Sequence, residues 1–227
     1  MLHKLYAGSR LRKSRLHDEK GNFVSWPKIC TNGPCAFATA LLRLGIGYRP
    51  PSPWISYTAI RFFKKFLSPQ SRVLEFGSGM STIWFATHAG EVYSVEAYRP
   101  WYEKVDRMIQ KRQFKNIHYT FACTEDAYAG FVADDRKGFD LILVDGDWRS
   151  SCVSRASHML RPGGILYLDN SDKDSAPQGG DMRLAEKLAR EFAARMGGSI
   201  TLITDFAPTQ LFVQQGLLVQ IPVGRSL

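Results

Sequence analysis

The residues best placed to do chemistry are carboxylates that stand at the ends of short apolar runs. Val73-Leu74-Glu75-Phe76 leads into Gly77-Ser78-Gly79-Met80-Ser81-Thr82, the pattern of a buried strand that turns through two glycines and enters a helix. Glycines in such a turn let backbone approach a ligand where a Cβ would intrude. The next apolar run, Glu91-Val92-Tyr93-Ser94-Val95, ends in Glu96-Ala97, with Glu96 placed 21 residues after Glu75. An acid at that point can accept hydrogen bonds from both ribose hydroxyls of a nucleoside. A dinucleotide fingerprint would carry a third glycine at position 82, where this chain has Thr82. An acid just before the glycine turn is unhelpful beside a pyrophosphate and suits a cationic ligand end, such as the amino group of an amino-acid moiety. The pattern therefore favours S-adenosylmethionine over NAD.

Two further runs end in acids: Asp140-Leu141-Ile142-Leu143-Val144-Asp145-Gly146-Asp147, and Gly164-Ile165-Leu166-Tyr167-Leu168-Asp169-Asn170. In an open parallel sheet such tips face the ligand crevice. Asp145, Asp169 and Asn170 offer three oxygen ligands for Mg²⁺ or Ca²⁺, which would acidify and orient an acceptor hydroxyl. Without a metal, Asp145 or Asp147 is the expected general base. Trp148 follows a strand tip directly and is expected near the acceptor, whereas Trp54, Tyr57, Trp84, Trp101 and Tyr102 read as core aromatics. His88, His118 and His158 read as structural. Cys123 and Cys152 fall in predicted core elements, and Cys30 and Cys35 form a lone C-x4-C without a second pair at zinc spacing.

The elements that must position these residues alternate in a βα order. Strands are predicted at 72–76, 91–95, 116–122, 140–145 and 164–169, with helices at 81–89, 100–112, 150–160 and 181–196. Such alternation implies a largely parallel sheet covered on both faces. Runs 200–206 and 210–221 are separated by three residues, enough for a hairpin but not for a parallel crossover, so the last strand should run antiparallel. Residues 55–66 repeat apolar side chains at helical spacing. Residues 1–50 read as irregular, with turn signals at Gly21-Asn22, Trp26-Pro27 and Asn32-Gly33-Pro34. Residues 36–46 are expected to form a core helix. The chain divides into a basic extension with a helical cap, 1–67, and an α/β domain, 68–227.

Residues 73–79, 92–97, 140–146 and 160–170 (VLEFGSG, VYSVEA, DLILVDG and LRPGGILYLDN) resemble the class I methyltransferases, over about residues 68–221. The resemblance implies a Rossmann-like α/β fold with a seven-stranded, mostly parallel sheet, an antiparallel last strand, and S-adenosylmethionine as cofactor. It implies that Glu75, Gly77 and Gly79, with Ser78, line the methionine side and that Glu96 and Ala97 meet the ribose. Thr124, within Ala122–Glu125, would border the adenine, and Asp145 would reach the cofactor from the next strand. The acids at Asp145 and Asp169-Asn170 look like those of the catechol-type O-methyltransferases. Those enzymes carry a lysine base three residues after the first acid, where this chain has Trp148 followed by Arg149. The stretch from Val144 to Asp172 is also similar to bacterial methyltransferases associated with surface polysaccharides. The implied activity is methyl transfer to a hydroxyl of a small-molecule or glycan acceptor.

Composition bounds the alternatives. The chain has 227 residues, 44% hydrophobic and 22% charged, which is ordinary for a folded domain. Its formal net charge is +9, and the first 20 residues hold six Lys or Arg against two acids. Residues 1–20 are expected to be mobile and dispensable for cofactor binding. Charge alone supports a nucleic-acid methyltransferase, and nucleic acid is not the expected partner, because neither an Asn-Pro-Pro-Tyr-type motif nor a nucleic-acid module is present. A non-catalytic S-adenosylmethionine-binding subunit is the other alternative, and a homo-oligomer is compatible with the sequence. No apolar run approaches the roughly 18–20 residues of a membrane span, and no secretory signal pattern is seen, so no transmembrane segment and a cytoplasmic location are expected.

Overall fold

The computed structural model describes residues 11–173 and 178–224. Its framework is a single sheet of seven strands: β1 (Arg72–Phe76), β2 (Glu91–Glu96), β3 (Ile117–Phe121), β4 (Phe139–Val144), β5 (Leu160–Leu168), β6 (Ser199–Phe206) and β7 (Val213–Gln220). The spatial order is β3-β2-β1-β4-β5-β7-β6. β1 to β5 pair in parallel, and β7 runs antiparallel to both β5 and β6. The terminal hairpin anticipated from a three-residue gap is thus present. The central strands are buried on both faces, which is why they read as unbroken apolar runs. All five residues of β1 are buried, including Glu75.

Helices cover both faces. On one side α5 (Glu125–Ala129), α6 (Arg149–Ala156) and α7 (Gln178–Met196) pack Tyr128, Cys152, Met182 and Phe192 against Leu74, Phe76, Ile142 and Leu166. On the other, α2 (Tyr57–Phe66) and α3 (Met80–Ala86) pack Phe63 and Phe85 against Val73, Val92, Leu141 and Tyr167. Helix α4 (Arg99–Arg112), with Pro100 in its first turn, closes the β2–β3 edge through Val105 and Ile109.

The N-terminal third departs from expectation. Residues 26–46 form one continuous helix, α1 (Trp26–Ile46), which runs through Asn32-Gly33-Pro34. It is not a core helix: Asn32, Ala36 and Ala40 are its buried residues. It is also long and apolar enough to cross a membrane by length and composition. Ala36 and Ile29 join it to Phe206 and Val213 in a small apolar cluster, and polar contacts add to this. Asn32 Nδ2 donates to both carboxylate oxygens of the fully buried Asp205, at 2.9 and 2.8 Å. The same carboxylate accepts from Thr58 N (3.0 Å) and Thr58 Oγ1 (2.6 Å) at the start of α2.

Residues 11–20 are docked rather than free. Asp18 is fully buried and receives Thr204 Oγ1 at 2.8 Å, and Lys20 Nζ sits 2.8 Å from Glu186 on α7. Arg12 pairs with Glu19 (3.1 Å) and reaches Asp172 (3.6 Å), and the Arg15 carbonyl accepts from Val213 N at 3.0 Å. Cations that look like a solvated tail find buried or half-buried carboxylates here. Residues 1–10 lie outside the described residues. Cys123 is exposed rather than in the core, because it follows the end of β3, whereas Cys152 is buried as expected.

Candidate cofactor and acceptor site

The carboxyl ends of β1, β2, β4 and β5 converge on one edge of the sheet. At the first, Gly77 takes φ +96°, and a Cβ there would meet Gly146 N at 2.7 Å and Gly146 Cα at 2.8 Å. Gly77 is therefore required by close packing of the β1 turn on the β4 turn. This differs from the sequence expectation that it clears a path for the ligand. Gly79 is the position that leaves space: the nearest atoms to an added Cβ are Ser81 Oγ and Trp101, at 3.8 Å.

Glu75 sits under this turn with no solvent exposure. Its Oε2 accepts from Thr82 Oγ1 (2.5 Å) and Ser94 Oγ (2.6 Å), while Oε1 is buried without a hydrogen-bond partner. Burial pushes its pKa up to about 7, against the hydroxyls around it. An orphaned carboxylate oxygen at such a place is one ammonium or amide donor short of satisfaction.

Glu96 is the hub of the second strand end. Its Oε2 accepts from Ser78 N (3.2 Å) and Ser78 Oγ (2.9 Å), and its Oε1 from Ala97 N and Tyr98 N, both at 2.9 Å. Ser78 Oγ also meets Tyr119 Oη at 2.7 Å, and the Ser78 carbonyl accepts from Trp101 Nε1 at 2.8 Å. Ser78 thus pins the glycine turn to β2, a contact that strand periodicity does not reveal. Thr124 stands at the N-cap of α5, after β3, without a side-chain capping bond.

At the third and fourth tips the two expected acids do come together. Asp145 keeps about a third of its side chain open (32%), whereas Asp169 is buried (2%). Burial and the neighbouring Asp145 push the Asp169 carboxyl well above the usual carboxylate range. Burial also raises Asp145, opposed by Arg149 and Lys173. Sequence reasoning missed what the two cations do here. Arg149, first residue of α6 and itself buried, donates to the carbonyls of Gly146 (2.9 Å), Asp145 (2.9 Å) and Asp169, and to Asp145 Oδ1 at 3.2 Å. It laces the β4 tip to the β5 tip. Lys173, held by its N–H to the Asn170 carbonyl (3.0 Å), has its pKa lowered by burial and by Arg149. Gln214 Nε2, from β7, faces both oxygens of Asp169 at 3.4 and 3.2 Å.

Two cavities meet at Asp145. One, of about 610 Å³, is bounded by Glu125, Asp147, Trp148, Arg149 and Lys173. The other, of about 370 Å³, is walled by Trp54, Asp169, Asn170, Gln210, Phe212 and Gln214. Trp148 adopts φ 45° and packs edge-on against Tyr128 at 5.4 Å, on the wall of the first cavity. Trp54, read from sequence as core, instead lines the second. No group of three His, Cys, Asp or Glu side chains suited to a metal ion occurs among the described residues.

Residues 74–171 match the profile of a family described as a methyltransferase domain. That span runs from β1 past the β5 tip and contains Glu75, the glycine turn, Glu96, Asp145 and Asp169. The chain carries the class I methyltransferase fold. Among solved structures, an O-methyltransferase from Bacillus cereus in complex with SAH is 19% identical, with a TM-score of 0.61 over 87% of this chain and 93% of that one. The O-methyltransferase TomG from Streptomyces achromogenes, involved in tomaymycin synthesis and in complex with SAM, is 18% identical, with a TM-score of 0.60 over 83% and 89%. An rRNA methylase from Streptococcus thermophilus is 12% identical, with a TM-score of 0.54 over 74% and 95%. Proteins sharing this fold thus include one involved in tomaymycin synthesis and one named as an rRNA methylase. No curated protein matches the sequence.

Proposed function

We propose that this chain transfers a methyl group from S-adenosylmethionine to a hydroxyl of a small-molecule or glycan acceptor, with Asp145 taking the proton and no divalent ion taking part. The observation that carries the reading is the position of Asp145, which borders both cavities at the junction of the β1, β4 and β5 tips.

Two features of the chain fit the cofactor. The buried, unpartnered Oε1 of Glu75 suits the ammonium of the methionine moiety, and the space beside Gly79 admits ligand where a Cβ would stand. Bound there, S-adenosylmethionine supplies a methyl group on a sulfonium, which needs an aligned nucleophile more than further activation. Glu96 would receive the ribose hydroxyls in place of the Ser78 hydroxyl it now holds. The smaller cavity is walled by Trp54 and Gln210, whose Nε1 and Oε1 are a buried donor and a buried acceptor that lack partners. Such a pair suits a hydroxylated molecule better than an apolar one. As the acceptor oxygen bonds to the methyl carbon, the carbon–sulfur bond breaks with its electron pair left on sulfur. The hydroxyl proton passes to Asp145.

Mg²⁺ or Ca²⁺ does not suit the Asp145, Asp169 and Asn170 set. An ion there would share Asp145 with the Arg149 guanidinium and would displace the Gln214 amide from Asp169. Arg149 and Lys173 already supply the positive charge that a pair of adjoining carboxylates requires. The test is release of S-adenosylhomocysteine with a panel of hydroxylated acceptors. Wild type should turn over unchanged in EDTA, and Asp145→Asn should lose at least about a hundredfold in kcat, the scale of general-base loss, with cofactor affinity kept. Chelator-sensitive activity restored by Mg²⁺ would overturn the metal-free reading, and full activity in Asp145→Asn would remove Asp145.

A further inference from the structure

Helix α1 meets the domain through small and polar side chains: Ala36 and Ala40 are buried, Asn32 holds the buried Asp205, and Thr39 Oγ1 accepts from Thr209 N at 2.9 Å. Its apolar residues face outward, with Trp26 71%, Leu41 51%, Leu44 74% and Ile46 76% exposed. The helix contains no Asp or Glu. An apolar face of that extent marks an interaction surface.

The chemistry beside it selects the partner. At the C-terminal end of α1 a cavity of about 550 Å³ is lined by Arg43, Arg49, Lys104 and Arg112, and by no acid. Arg43 and Arg49 lie over Trp54 at 5.6 and 5.1 Å, Lys104 lies over Trp101 at 4.9 Å, and none of the four cations forms an ion pair among the described residues. An apolar surface flanked by such cations matches an anionic membrane surface, where acyl chains take the first and lipid phosphates the second. A second copy of the chain fits less well, because it brings a like formal charge of +9. The Asn32–Asp205 and Thr39–Thr209 bonds hold α1 lengthwise on the domain, so the geometry is that of a helix lying in the interface, not crossing it.

We propose that α1 inserts its outward apolar side chains into the headgroup–acyl boundary of an anionic membrane, with Arg43, Arg49, Lys104 and Arg112 on the lipid phosphates, so that the protein works at a membrane surface. The test is co-sedimentation of the full chain with vesicles of phosphatidylcholine alone or mixed with phosphatidylglycerol. Binding is expected to the mixed vesicles and to fall as salt rises. Leu41→Glu with Leu44→Glu should abolish it, and Lys104→Glu or Arg112→Glu should each weaken it by at least about fivefold, the worth of one cation near an anionic surface. These residues are exposed or on the cavity rim, and unchanged melting and S-adenosylhomocysteine affinity show that each variant is folded. Failure to bind mixed vesicles, equal binding to phosphatidylcholine alone, or binding untouched by the Leu41 and Leu44 changes would each overturn the proposal. So would a dimer in light scattering that the same double substitution returns to monomer.

Discussion

Glu75→Gln should move stability and cofactor affinity in opposite directions. The carboxyl is fully buried, and its pKa rises from 4.5 to about 7, chiefly through burial. A folded pKa above the unfolded one means that the folded chain favours the neutral acid. That stabilisation is fully present below pH 4.5 and is lost as pH rises through about 7. At about 1.36 kcal/mol per pKa unit, the loss amounts to about 3 kcal/mol at most. Glutamine copies the neutral form, and its carbonyl can still accept from Thr82 and Ser94. Urea denaturation of the ligand-free protein should therefore find Glu75→Gln equal to wild type near pH 4.5 and more stable by up to about 3 kcal/mol at pH 8. S-adenosylhomocysteine should behave otherwise, because its ammonium favours the ionised acid. Calorimetric affinity of wild type should rise with pH and level off above about 7. Glu75→Gln should be flat with pH and weaker by about 1–3 kcal/mol, the range for a hydrogen bond to a charged group. A variant destabilised equally at both pH values, or one that binds as wild type does, would refute the assignment of Glu75.

Other substitutions separate roles that lie close together. Gly77→Ala combines a positive φ with a Cβ 2.7 Å from Gly146 N, and should cost at least about 2 kcal/mol in urea melts; Gly79→Ala should melt as wild type and lose S-adenosylhomocysteine affinity by calorimetry. Arg149→Met leaves Asp145 and Asp169 without the guanidinium between their strands and should destabilise by about 3 kcal/mol, with a larger loss at pH 8 than at pH 5 because both acids then need to ionise. Asp205→Ala removes the common acceptor of Asn32 and Thr58 and should release α1, read as faster amide exchange confined to residues 26–46 and the start of α2.

The sheet was legible because its central strands are buried on both faces. Runs such as Arg72–Phe76 and Phe139–Val144 have no polar alternation to blur them, and each is closed by a glycine or an acid. Residues 36–46 read as a helix and are one, but the rest of α1 and its outward-facing side were illegible for two physical reasons. Asn32-Gly33-Pro34 carries the local signature of a turn, yet Asn32 is held by Asp205 173 residues away, and a Cβ at Gly33 would stand 3.8 Å from the Phe206 ring. Tertiary contacts override the local preference. Its apolar periodicity, moreover, says that one side differs from the other without saying which side faces the domain. The docked segment 11–20 follows the same logic, since Arg12 and Lys20 are partnered by Asp172 and Glu186 far along the chain.

The site was half legible, and the missing half changes its chemistry. Acids at the ends of β1, β2, β4 and β5 follow from topology, because parallel strands place their last residues on one edge. A pair of acids with an asparagine is, however, equally compatible with a divalent ion and with a guanidinium, and the difference lies outside the motif. Here a signal existed at Arg149. It opens α6, where the helix dipole disfavours a cation by about 0.3–1 kcal/mol, and follows Trp148, whose φ of 45° is itself costly. Two unfavourable local choices in succession need a compensating gain, and Arg149 finds it in three carbonyls and the Asp145 carboxylate. A chelator-resistant enzyme whose Arg149→Lys variant keeps fold and cofactor affinity but loses turnover would show that the planar fork does more than neutralise charge. A point charge can balance Asp145 and Asp169, but it cannot hold both strand tips in register.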